Sequence, residues 1–340
     1  MESPNRTRKG HFRLLMGGPS HLSVLKPILV IREVRALLTL LLIVVFFAFF
    51  TGGKYLSVIN LVSVLNGVYA FGIVAGAMTL LLISGEIDLS VGSVYALSPV
   101  IAAILVKRVP GFTIWSAVPL AIGIAAFCGF TNGIITTKGR IPSFITTLGM
   151  MMILRGVAFV LTKGQIFGFF PPSVLYTIFG GTVFKWIPVG VIWFPAIIVC
   201  LWILLEKTAF GNRTFATGNN KEAARMAGIN TDRVKIINFT ITGALAGFAG
   251  ITVLSYLGQA APQQGVELAF DAIAAAVVGG TSLFGGAGGV IGTLLGAFIV
   301  GGVKNGIIIR GAPIFWPEAF VGVIIVLAVI FNVWIERKMA

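Results

Sequence analysis

The sequence predicts an all-α polytopic membrane protein with about ten transmembrane helices and re-entrant or broken glycine-rich segments. Three observations carry this expectation. Only 11% of the 340 residues are charged and 57% are hydrophobic, with a mean hydropathy of +1.01. Soluble domains carry about 25% charged residues, and so little charge cannot cover a soluble globule of this size. It suits a chain whose solvent is lipid. Apolar runs close to the roughly 20 residues of one membrane crossing recur along the chain. Finally, the 25 basic residues are clustered, seven in the first 36 positions and six between Lys207 and Lys235. Such clusters beside hydrophobic spans are the positive-inside signature, so the net charge of +14 needs no nucleic acid to explain it. An ordinary cytosolic enzyme and a secreted disulfide scaffold are excluded. The two cysteines, Cys128 and Cys200, lie in apolar runs and read as packing residues.

Residues 1–35 form a basic cytoplasmic tail carrying Arg6, Arg8, Lys9, Arg13, Lys26, Arg32 and Arg35. It is long for a signal-peptide n-region, and no small-residue cleavage site follows the first apolar stretch. Residues 36–335 read as a single transmembrane domain, with spans at 36–51, 57–83, 90–106, 113–137, 143–162, 187–205, 236–257, 268–283, 289–309 and 317–335. The first and eighth are short. With the N-terminus inside, ten crossings return residues 336–340 to the cytoplasm, where Arg337 and Lys338 suit the rule. The same walk puts Lys138, Arg140 and the 206–235 loop inside, and the 163–186 and 258–267 loops outside. Lys107 and Arg108 fall outside, against the rule. Glycines at four-residue spacing (Gly72 and Gly76; Gly243 and Gly247; Gly288, Gly292 and Gly296) read as faces for close helix packing within one bundle.

Three polar islands interrupt the apolar pattern. The first, Ser84 to Ser93, holds Glu86, Asp88, Ser90 and Ser93. Asp88 or Ser90 can cap the helix that follows. Carboxylates beside spans also suit the lining or gate of a polar path, since charge in the bilayer is costly. Both readings stand. The second island, Gly279 to Gly289, holds Thr281, Ser282 and Phe284 and lies on the same side of the membrane as the first. The pair could be a diverged internal repeat of the kind transporters use near a substrate path. The third runs from Glu206 to Lys235. Within it Lys221 to Ala227 are strong helix formers, with Asn219 or Asn220 able to cap the start and Gly228 the end. Small residues on such an exposed helix suit docking into another protein's groove.

Chemistry is conspicuously missing. The sequence has no G-x-x-x-x-G-K-[ST], and Gly286-Ala287-Gly288-Gly289 lacks the spacing and acidic partner of a dinucleotide fingerprint. The only histidines, His11 and His21, sit in the tail, so the bundle has no His-based triad or metal cage. No catalytic and no metal-binding residues are expected.

The strings Gly85-Glu86-Ile87-Asp88-Leu89-Ser90-Val91-Gly92-Ser93, Ile141-Pro142-Ser143-Phe144-Ile145-Thr146-Thr147-Leu148-Gly149, Asp271-Ala272-Ile273-Ala274-Ala275 and Val278-Gly279-Gly280-Thr281-Ser282-Leu283-Phe284-Gly285-Gly286 resemble the permease subunits of bacterial ribose-type ABC sugar importers. So does the 218–230 loop, which is similar to the family's G-x-N-x-E-A-A-R-x-x-G-I pattern. The match runs in order from about 57 to 335, and Glu86 departs from it, at a position where relatives often carry glycine.

This resemblance implies a two-copy permease in the bacterial cytoplasmic (inner) membrane. It would import ribose-like pentoses or related sugars by alternating access, working with a cytoplasmic ABC ATPase subunit and an extracytoplasmic sugar-binding protein. ATP and Mg would bind the ATPase, leaving this chain without a cofactor. Gly218, Asn219, Asn220, Glu222, Ala223, Ala224, Arg225, Gly228 and Ile229 would form the coupling helix that inserts into the ATPase. Glu86, Asp88, Ser90, Ser93, Thr281, Ser282 and Phe284 are candidates for the translocation path. Membrane lipid is a further expected partner, through the basic tail. Two rivals stand beside this reading. One is the same machine for a nucleoside or a branched-chain amino acid. The other is a proton-coupled carrier using Glu86, Asp88, Glu267 or Asp271, which would transport without any partner.

Overall fold

The computed structural model describes residues 32–168, 176–183, 187–313 and 315–339. Positions 1–31 of the predicted basic tail lie outside the described residues, as does part of the 163–186 loop. The helices are α1 (Arg32–Phe50), α2 (Val58–Ile83), α3 (Val91–Arg108), α4 (Ile114–Lys138), α5 (Ser143–Thr162), α6 (Gly190–Glu206), α7 (Ala209–Asn219), α8 (Lys221–Met226), α9 (Thr231–Leu257), α10 (Leu268–Val278), α11 (Val290–Ile309) and α12 (Trp316–Met339). Seven of them are long and apolar enough to cross a membrane, or eight if α6 and α7, bent by 72°, are taken as one span.

Helix α2 is the axis of the bundle. Every residue from Val68 to Ile83 is buried, as expected of a helix that is apolar all round. Helices α6, α9, α10 and α11 surround this buried segment. Lipid tails are as apolar as leucine, so packing and hydrogen bonds must hold these helices together. Thr79 Oγ1 meets Thr293 Oγ1 at 2.6 Å, and Asn238 Nδ2 and Thr242 Oγ1 donate to the carbonyls of Leu80 and Ala77, each at 3.3 Å. The outer face carries exposed apolar residues, such as Leu42 and Phe49 on α1 and Ile153 and Val160 on α5. Cys128 is buried as expected, whereas Cys200 lies exposed on α6.

The spaced glycines pack inside the chain. Gly72 faces the Phe194 ring, and a Cβ on Gly76 would stand 2.8 Å from Ile198 Cδ1. A close seam joins α4 to α9, where a Cβ on Gly243 would approach Ala125 O to 2.4 Å and one on Gly129 would approach Phe239 O to 2.2 Å. Backbones this close leave no room for a methyl group.

The eighth expected span, 268–283, needs correction. Gly279 and Gly280, the latter with φ +95°, end α10 after 11 residues. At 1.5 Å per residue that helix is about 16 Å long, roughly half the hydrocarbon core. A glycine-rich stretch of turns and bends then joins it to α11. The 206–235 segment is also more ordered than expected, because α7 precedes the short helix α8.

At the opposite end from α8, Phe167–Gly168 pairs antiparallel with Gln259–Ala260. Lys107 donates to Gly168 O at 2.5 Å, and Lys107 and Arg108 lie over the Phe167 ring at 5.3 and 5.2 Å. The two cations that broke the charge rule are thus occupied in fastening this loop. Arg155 donates to Pro262 O and Gln264 O and holds the following turn.

Replacing Gly243 with Val is expected to wedge α4 from α9 and cost about 1–3 kcal/mol, the usual range for overpacking. Gly123→Ala, on the same α4 but with nothing within 4 Å, is the control and should be silent. Thermal unfolding of the detergent-purified chain compares the two.

Candidate functional site

The three polar islands meet at one end of the bundle. Island one follows α2, island two joins α10 to α11, and the α7–α8 corner lies against both. Gly286 N donates to Ile83 O at 2.9 Å. Gly218, at the end of α7, presses on that same carbonyl, where a Cβ would sit 1.7 Å away. A Cβ on Gly285 would meet Gly218 O at 2.9 Å and Gly85 Cα at 3.2 Å, and one on Gly286 would meet Asn219 Cα at 2.8 Å. Gly85, Gly285 and Gly286 also have φ of +79°, +91° and +71°, a region open to glycine. The junction therefore needs glycine both for conformation and for clearance.

Helix α8 projects from this junction with both ends closed. Asn220 Oδ1 accepts from the amides of Glu222 (3.1 Å) and Ala223 (2.9 Å), which is an N-cap. At the other end Gly228 N donates to Arg225 O and Ile229 N to Ala224 O, both at 3.0 Å, with Gly228 at φ +83°. That pair of bonds is a Schellman closure. Arg225 reaches back to Thr231 Oγ1 (2.9 Å) and Asp232 Oδ1 (2.6 Å), tying α8 to the first turn of α9. Only Ala224 of α8 is buried, while Glu222, Ala223 and Met226 are exposed, Met226 by 84%. The result is a small, rigid knob with an apolar tip. Burial, then Lys235 and Arg225, push the Lys221 ammonium down from its ordinary range.

The carboxylates of island one are both engaged. Glu86 pairs with Lys235, and both side chains are nearly buried, at 12% and 8% exposure. Asp88 Oδ1 accepts from Ser90 N (2.8 Å) and Ser90 Oγ (2.6 Å), and Asn132 Nδ2 donates to Ser90 Oγ at 2.8 Å and to both Asp88 oxygens at 3.3–3.4 Å. Asp88 therefore restrains the turn before α3. Ser90, the N-cap residue by position, makes no side-chain cap bond. Burial pushes the Asp88 carboxyl up, and hydrogen bonds from Ser90 and Asn132 oppose it. Ser93 Oγ donates to Met151 O on α5 at 2.8 Å.

In island two, Thr281 and Ser282 are buried and Phe284 is 64% exposed. Phe284 N donates to Ser282 Oγ at 3.2 Å. Of the rival proton sites, Asp271 pairs with Lys304 at 2.6 Å. The sequence reading missed Lys235, Asn132 and Met226. A lone asparagine inside the 113–137 apolar run was the available signal for Asn132, since polar groups in spans usually have a partner.

Residues 60–329 match a protein family described as the permease component of a branched-chain amino acid transport system. The chain belongs to this family. Among its relatives this permease is 37% identical to the ribose import permease protein RbsC of Bacillus subtilis, over 82% of this chain and 86% of that one. It is 36% identical to the ribose import permease protein RbsC of Escherichia coli K12, over 89% of this chain and 94% of that one. It is 34% identical to the fructose import permease protein FrcC of Rhizobium meliloti, over 89% and 86%. No solved structure matches it. The permease is thus a multi-pass membrane protein and a transporter component.

Two substitution series test the geometry of this end. Glu86→Gln strands the Lys235 ammonium and is expected to cost about 3 kcal/mol, much of it regained when Lys235→Met is added. Thermal unfolding of single and double variants separates pair loss from a stranded charge. Asp88→Asn keeps polar atoms facing Ser90 and Asn132 and should be nearly silent. Asp88→Ala leaves them unpaired and should cost about 1–3 kcal/mol in the same assay.

Proposed function

We propose that this chain is the membrane-spanning subunit of an ABC importer for a ribose-like pentose or related sugar. The observation that carries the reading is the similarity, over more than four-fifths of the chain, to permeases named for ribose and fructose import. Another relative, 35% identical over 91% of this chain, is named as a probable ABC transporter permease. The amino-acid alternative has the general family description behind it. The sugar reading rests on nearly full-length relatives and is the more specific of the two.

In this reading the permease works as two copies in the bacterial inner membrane, with both termini cytoplasmic. The ten crossings are the seven long helices, α6, α12, and α10 together with the glycine-rich turns that follow it. A partner ATPase binds ATP and Mg, and this chain carries no nucleotide site or catalytic residue. Helix α8, from its Asn220 cap to Gly228 and Ile229, is the coupling helix that enters a groove on the ATPase. Its closed ends and exposed Met226 suit that role, because a rigid knob transmits a push that a frayed turn would absorb. An extracytoplasmic binding protein delivers the sugar, and the two copies rock between outward- and inward-facing states around the path between them.

The bonds of Glu86, Asp88, Ser90 and Ser93 support a structural part for island one in that movement, holding α2, α3, α5 and α9 in register beside the coupling helix. Exposed Phe284 is the path candidate whose side chain is free to face solute. A proton-coupled carrier finds less support, since Asp271 already has Lys304 as a partner.

Uptake and ATP hydrolysis in proteoliposomes holding this chain, the ATPase and the binding protein test the proposal. Transport is expected to need all three, and Glu222→Lys with Arg225→Glu is expected to lower sugar-stimulated hydrolysis at least tenfold, on the order of a charged interface pair. Uptake by this chain alone, abolished by collapsing a proton gradient, overturns it.

A further inference from the structure

A groove of about 420 Å³ opens between α4 and α9 at the end of the bundle that carries α8. The two helices run antiparallel there, α4 ending at Lys138 and α9 beginning at Thr231. On α4, Phe130 and Lys138 lie eight residues apart and line the groove; on α9, Arg233, Ile237 and Ile241 follow at four-residue spacing. Each stripe covers about 12 Å along its helix. Because the helices are antiparallel, both cations fall at the same end and the apolar residues at the other.

The shape is set by backbone packing. A Cβ on Gly133 would stand 2.8 Å from Ile236 Cα, so the helices touch there and the longer side chains form walls on either side. The Asn230 side chain accepts from Arg233 N at 2.9 Å and fixes where the arginine leaves the helix. Lys138 and Arg233 are exposed, and among the described residues neither forms an ion pair or a side-chain hydrogen bond. Asp232, the carboxylate that shares the lining, is held by Arg225.

We propose that this groove binds one anionic phospholipid from the leaflet on the α8 side. Its phosphate sits between Lys138 and Arg233, and its first acyl segment lies along Phe130, Ile237 and Ile241. Charge complementarity selects the headgroup, since two unpartnered cations at the membrane surface attract anionic lipid. The apolar stripe below selects a lipid over a free anion, which would use none of it. Because Asp232 both lines the groove and holds α8, the bound lipid touches the structure that fixes that helix. This inference goes beyond the transport reading and does not depend on the solute.

A photoactivatable phosphatidylglycerol, offered to the full-length chain in nanodiscs of phosphatidylcholine, is the probe. Peptide mapping is expected to find its label on the 130–138 and 233–241 segments, with unlabelled phosphatidylglycerol competing and inorganic phosphate not. Lys138→Gln with Arg233→Gln should reduce labelling about tenfold. Both side chains are exposed, so their replacement leaves the packing alone. Ile237→Trp, which fills the groove and keeps the cations, should reduce it as well. Equal labelling by a phosphatidylcholine probe, displacement by inorganic phosphate, or undiminished labelling of the double glutamine variant overturns the proposal.

Discussion

A peptide group in hydrocarbon must find its hydrogen bond within protein, because no water is there to supply one. Every interruption of a helix is therefore a debt that another part of the chain must cover. This chain breaks its helices twice near the same level, after Ile83 and after Val278, and the two breaks cover each other. The carbonyl of Ile83, released at the end of α2, is met by the amide of Gly286 from the second break. Gly218 then closes over the same point. The arrangement of α2, α7, α10 and α11 at this end follows from that one mutual cover, and glycine is the residue that lets three backbones share the space.

The polar side chains obey the same constraint. Glu86 and Lys235 are almost enclosed, and each makes the other tolerable. Asp88 lies deeper and is surrounded by donors from Ser90 and Asn132. Neither carboxylate is left over to bind solute without giving up a structural partner. On the far side, Lys107, Arg108 and Arg155 serve loops instead of facing solvent freely. Few charges are present in this chain, and these six hold breaks and corners in place.

The membrane class and most spans were legible because hydrophobic length is a local property, readable residue by residue. The cap and closure of α8 were legible for a similar reason, since Asn220 and Gly228 act on neighbours within a turn. Helix α10 was misjudged because apolar residues continue into its glycine-rich exit, and hydropathy does not distinguish helix from turns there. Glu86 was seen as a conspicuous carboxylate, but its partner lies 149 residues away and nothing local announces it. The meeting of the three islands was equally hidden. The predicted topology put all of them on one side, yet only packing brings Gly85, Gly218 and Gly286 to one point.

Helix α9 has a mechanical consequence. Arg225 bolts α8 to its first turn, and its 27 residues make a rod about 40 Å long, ending beside the strand Gln259–Ala260. A rod transmits angle as well as force. With the pivot at Gly243, about 20 Å from the far end, a tilt of about 5° moves that end by about 2 Å. The tight glycine seam with α4 makes the natural fulcrum for such a swing, since the two backbones touch there. A six-residue helix at one surface thereby gains leverage on a strand pair at the other.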